Sequence, residues 1–170
     1  MKKTFVLTLI LLVAVTGGAF AQKFGYCNSL ALLAELPEVK QADSDLQAFQ
    51  TQLTKRGQEM VKSLQDKAAE LDRKKENGTI SPKDYDTQAA ALQEEQAKIE
   101  AYQQEVYQKL AEKRQTLYKP ILDKVNTAMK DVATEQGFSM VFDTASSIVL
   151  YGDESLDVTK LVRTKLGLSN

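Results

Sequence analysis

Between Pro37 and Glu135 the apolar residues fall into two narrow stripes separated by one polar break. In the first run Leu46, Phe49, Leu53, Met60, Leu64, Ala68 and Leu71 recur at spacings of three, four and seven. In the second the stripe is Tyr85, Ala89, Leu92, Ile99, Tyr102, Val106, Leu110, Leu117, Ile121, Val125, Met129 and Val132. Such spacing places each set on one face of a helix, near the 3.5-residue period of a coiled coil. The break itself is punctuated: Asn77-Gly78 offers left-handed residues that end a helix, and Ser81-Pro82-Lys83-Asp84 offers an N-cap, a first-turn proline and an early acid. The pattern predicts an antiparallel helical hairpin over 37–119 with its tip at 77–82. Ala68 is expected to face Leu92, Leu64 to face Ile99, and Leu53 to face Val106. Gly57 interrupts the first helix as either a flexible joint or a tolerated surface glycine, and costs about 1 kcal/mol relative to alanine.

Outside the hairpin the period changes. "KFGYCN" (23–28), "FSMVFD" (138–143) and "SIVLY" (147–151) read as three short strands, the last two joined by a polar turn at Thr144 to Ser146. Pro120 lacks an amide hydrogen and is expected to kink or restart the second helix, which makes it the hinge between arm and body. Helix then resumes to about Glu135 and stops at Gly137, and Asp157 and Gly167 bracket a last short helix. The fold class is therefore α+β, with a small β-containing body from 22–36 and 120–170. Three strands leave open edges and a core too small to stand alone, so the body is expected to bury its strands against copies of itself.

The first residues form no part of that body. Lys2 and Lys3 precede a short apolar run, and Ala19-Phe20-Ala21 gives the small-x-small pattern of a secretory cleavage site, so 1–21 reads as a signal peptide. Cys27 is the single cysteine and reads as a small buried hydrophobe in a strand. Without Lys2 and Lys3 the chain carries 20 basic and 23 acidic residues, which argues against nucleic acid as a partner. There is no histidine, the commonest general base and metal ligand, and one cysteine is too few for a thiolate zinc site. The eight glycines form no phosphate loop, no paired carboxylates stand out from the charged helix faces, and neither enzyme activity nor a cofactor is expected.

Two segments carry a family pattern. "KPILDKVNTAMKDVATEQGFSMVFD" (119–143) resembles the C-terminal signature of the Skp/OmpH family of periplasmic chaperones, and "FGYCNSLALLAELPEVKQA" (24–42) resembles its N-terminal segment. The resemblance implies a homotrimer in the periplasm of a Gram-negative-type envelope. Its strands would pool into one small barrel, and three helical arms would surround a cavity that holds unfolded outer-membrane β-barrel proteins without ATP. On that basis Phe24, Tyr26, Phe138, Val141, Phe142 and Tyr151 are assigned to the trimer core. Tyr107 and Tyr118, beside the seam, and the cluster Arg73, Lys74 and Lys75 near the tip are the candidate client contacts on the arms. Residues 55–109 carry 10 basic and 11 acidic side chains, unlike the strongly basic members of the family, so no lipid or lipopolysaccharide site is carried over. A structural or adaptor coiled coil of the envelope is the competing reading.

Overall fold

The computed structural model describes residues 22–146 and 148–168; the expected signal peptide, 1–21, lies outside them. The elements run β1 (Phe24–Cys27), α1 (Ser29–Glu35), α2 (Pro37–Glu76), α3 (Pro82–Glu135), β2 (Met140–Asp143) and α4 (Thr159–Lys165), with 3-10 turns at Thr144–Ser146 and Glu154–Leu156. The described chain divides into two units. One comprises the residues up to Leu32 with those from Asn126 onward, and the other comprises Leu33–Val125.

The Leu33–Val125 unit is the hairpin. Every position of both predicted stripes within it is buried or half-buried, and Leu53, Leu71, Ile99, Tyr102, Ile121 and Val125 are the most enclosed. Side-chain pairs fix an antiparallel register from one end to the other. Lys124 Nζ lies 2.5 Å from Glu38, the Tyr118 hydroxyl meets Asp43, and Lys67 Nζ lies 2.5 Å from Glu95. Nearest the tip, Lys75 Nζ sits 4.3 Å from the centre of the Tyr85 ring. These ion pairs are exposed and hold little energy, about 0–1 kcal/mol each, so the apolar seam carries the pairing. At the tip Gly78 adopts φ +64°, which lets the Thr79 amide reach back 2.9 Å to the Lys74 carbonyl. Asn77 stays right-handed, so only one of the two expected cap residues takes the left-handed form. Ser81 caps α3 as its sequence predicts: its Oγ accepts from the Asp84 amide at 3.1 Å and donates to the Asp84 carboxylate at 2.6 Å. Pro120 does not end or restart α3, which is helical through it to Glu135.

In the other unit β1 and β2 pair in parallel, Phe24 opposite Met140 through Cys27 opposite Asp143. Parallel strands need a long crossover, and here everything from Asn28 to Ser139 supplies it. Cys27, Leu32, Ala128, Val132, Val158, Val162 and Leu166 form the buried core. The third strand expected at 147–151 is not present: the sheet has two strands among the described residues, and 148–151 is irregular. The reason lies in Asp143. Its carboxylate accepts from the Ala145 amide at 3.0 Å and its carbonyl from Ser146 Oγ at 2.7 Å, so Thr144–Ser146 winds into a 3-10 turn instead of a hairpin turn. Beyond it the free side of β1 is met by a bridge from Tyr26 to Asp157 and by the Val158 amide, 2.9 Å from the Tyr26 carbonyl. A β-prone segment without a ladder partner in its own chain stays irregular.

Candidate functional site

The alternation of the two strands sorts the expected core residues onto opposite faces. Phe24 and Phe142 lie on one face with ring centres 6.3 Å apart, and both remain about 40% exposed. Met140, opposite Phe24, extends the same patch and is also exposed. Tyr26 is half-buried on this face, its hydroxyl 3.4 Å from the Gly152 carbonyl. Val141 belongs to the other face, beside Gly25 and Cys27. Phe138 precedes β2 and lies over Gly25, where an added Cβ would stand 2.9 Å from its ring, while Lys23 Nζ caps the ring 4.1 Å from its centre. Tyr151 is 88% exposed.

The sequence reading missed part of this surface. Ile148 and Leu150 are exposed like Tyr151, Leu150 at 95%, and all three belong to the sheet-containing unit. Met140 was recoverable from alternation with Phe142, and Ile148 with Leu150 from the same period. So many large apolar side chains in water are unusual for a folded unit. Burying one fully is worth about 1.5–3 kcal/mol.

The polar groups around the patch are tied down. Burial pushes the Asp143 carboxyl up, but hydrogen bonds from Ser29 Oγ at 2.5 Å, the Ser29 amide at 3.2 Å and the Ala145 amide at 3.0 Å outweigh it and leave the pKa lowered. Burial, followed by the nearby Asp157, Glu154 and Asp153 carboxylates and Tyr151, raises the Tyr26 phenol. Cys27 is enclosed, and burial pushes its thiol up to about 11, against a smaller opposing hydrogen bond from Thr159. A thiol held neutral in this way is a packing group at ordinary pH.

On the hairpin, Tyr107 is 71% exposed, whereas Tyr118 is half-buried with its hydroxyl on Asp43, a bond that raises its pKa. Of the tip cations, Lys74 pairs with Glu70 at 2.7 Å and Lys75 lies over Tyr85. Between the helices the seam opens into shallow grooves with apolar floors and charged rims, such as one of about 420 Å³ floored by Met60 and Ile99 between Arg56, Glu59, Glu95 and Lys98. No group of three or more potential metal ligands exists among the described residues, and no helix there is long and apolar enough to cross a membrane.

A small parallel sheet closed by the two ends of the chain, with a long helical hairpin inserted between its strands, is a distinctive topology. The profile of a protein family, outer membrane protein (OmpH-like), matches residues 23–166. The chain belongs to the OmpH-like family. The resemblance carried by 24–42 and 119–143 therefore holds, and both segments lie inside the matched span. The OmpH-like chain also shares its fold with a proposed outer membrane chaperone (OmpH-like) from Caulobacter crescentus CB15, known from a crystal structure. The TM-score is 0.72 at 22% identity, over 89% of this chain and 87% of that one. No curated protein matches the chain.

Proposed function

We propose that this OmpH-like protein is an ATP-independent periplasmic holdase that works as a homotrimer. It keeps unfolded outer-membrane β-barrel proteins from aggregating between its helical hairpins. Membership of the family supports the chaperone class. The observation that carries the rest is the set of exposed apolar side chains Phe24, Met140, Phe142, Ile148, Leu150 and Tyr151, the last three on an irregular strand-prone segment. A surface of that kind is satisfied by further copies of the chain, which would supply the ladder partners that 148–151 lacks within its own. Pooled in this way, three chains would set three hairpins around one space.

Holding then needs no chemistry. A β-barrel precursor alternates apolar and polar residues and aggregates through its apolar face and unpaired edges. Grooves with apolar floors and charged rims give many weak contacts to such a chain without selecting one structure for it. Tyr107 and the Arg73, Lys74, Lys75 cluster are the arm residues proposed to take part, and Pro120 is the proposed flexing point of α3.

The test is light scattering as a urea-unfolded outer-membrane β-barrel is diluted into buffer with the mature protein and no nucleotide. Suppression near one trimer per client supports the reading. Client aggregation at the unassisted rate, with the trimer intact by sedimentation, refutes it and favours an adaptor role for the hairpin. Joining the chain near Lys62 to near Ile99 is expected to preserve assembly and abolish protection. Protection retained in that shortened form would move the client surface to the sheet-containing unit.

A further inference from the structure

A thin apolar stripe of leucines and alanines at three- and four-residue spacing does not by itself hold two helices in one alignment. Sliding one helix by a turn or a heptad brings similar side chains back together. In this hairpin the packing near the middle is sparse. Two surface grooves, of about 420 and 350 Å³, flank the single side chain of Ile99, with Met60 on one side and Val61 on the other. Something more specific than the stripe has to choose the register.

Tyr102 has the required properties. Its ring is buried, 6% exposed, and its hydroxyl donates across the hairpin to the Leu53 carbonyl of α2 at 3.0 Å. That carbonyl also faces the Gly57 amide in the helix ladder, and its two lone pairs serve both donors. The ring reaches it by crossing Gly57, where an added Cβ would stand 3.4 Å from the ring edge. The Arg56 guanidinium lies over the same ring, 5.6 Å from its centre. One turn away on either side, α2 presents Leu53 and Met60 or Val61, whose side chains would occupy the space the ring needs. We infer that Tyr102, seated over the notch at Gly57 and bonded to Leu53, is the positioning residue that sets the register of the hairpin.

Gly57 is on this account neither a joint nor an incidental surface glycine. It leaves room for the ring, which an added Cβ would just touch and a larger side chain would displace. The register in turn decides which outward side chains of α2 and α3 stand beside each other, and a slip of one turn would displace them by about 5 Å.

Spin labels at Lys67→Cys and Glu95→Cys, whose native side chains touch, report the register in the full mature chain diluted with unlabelled copies. Cys27 is buried and stays unlabelled. The parent is expected to give one short, narrow distance. Gly57→Leu, which raises helix propensity but fills the notch, should add a second component displaced by about 5–10 Å. The ratio of in-register to slipped hairpins should fall about fivefold or more, the value of at least one lost specific hydrogen bond. Tyr102→Phe keeps the ring and should show a smaller second component. Tyr102→Ala removes the key without any clash, and covers the case in which Gly57→Leu fails to fold. A single unchanged distance in Tyr102→Ala, with helix content retained, overturns the inference. No client enters the experiment, so its outcome is separate from that of the holdase assay.

Discussion

Replacing Asp143 by alanine tests whether one carboxylate holds the sheet-containing unit closed. Asp143 ends β2 and accepts from Ser29 Oγ, the Ser29 amide and the Ala145 amide, so it joins the start of α1 to a residue more than a hundred positions later. Removing it leaves three donors without their acceptor. The bond from Ser29 Oγ is short and charge-assisted, of the type worth about 1.5–3 kcal/mol; the two amide bonds are longer and nearer about 1 kcal/mol each. Asp143 is only half-buried, so water recovers part of this, and the expected loss is about 2–4 kcal/mol. The pH dependence has a definite sign. A carboxyl whose folded pKa is lowered contributes fully above its unfolded value, about 3.9, and loses that contribution as pH falls through the lower folded value. Urea unfolding of parent and variant at one protein concentration, at pH 7 and again near pH 3, reads both effects. The gap between the two proteins should be widest at pH 7 and shrink as acid protonates the parent's carboxyl. A gap of equal size at both pH values would show that Asp143 acts through packing and not through its charge. A gap below about 0.5 kcal/mol at pH 7 would show that the three bonds do not hold the unit closed.

Other perturbations bear on separate parts of the molecule. Gly152→Ala places a methyl 2.4 Å from the nearest carbon of the Tyr26 ring, and should cost about 1–3 kcal/mol in a thermal melt, recovered when Tyr26→Ala is added. Equal destabilisation with and without the Tyr26 ring would refute the clash. Leu150→Asp introduces charge on the most exposed large apolar residue among those described; sedimentation should show loss of the proposed trimer with helix content retained, and an unchanged assembly would remove Leu150 from the proposed interface. Cys27, enclosed and with its thiol pushed up to about 11, should react with a thiol reagent at pH 8 only along the urea unfolding curve. Fast labelling of the folded protein would mean that the core around β1 opens readily.

The hairpin was legible because its determinants are local. Apolar spacing, the Gly78 stop, the Ser81 cap and Pro82 all act within a few residues, and each of these elements formed where its chemistry lies. Counting outward from the tip gave the cross-helix pairing to within about a turn, and the choice within that turn rests on particular side chains such as Tyr102. The sheet was a different problem. "FGYC" and "MVFD" are separated by more than a hundred residues, and nothing in either says that they pair in parallel with each other. "SIVLY" carries the same strand-forming composition as its neighbours, yet 148–151 is irregular and makes no ladder among the described residues. A strand is a property of two segments, so composition alone could not separate a segment that pairs from one that stays irregular. Gly57 belongs between these cases. Its cost to α2 was visible as a helix defect, but its use depends on Tyr102, forty-five positions away, lying across it. An isolated defect in an otherwise regular helix is therefore best read as the negative of a side chain elsewhere, and the search for that side chain begins on the facing stripe at the same distance from the tip.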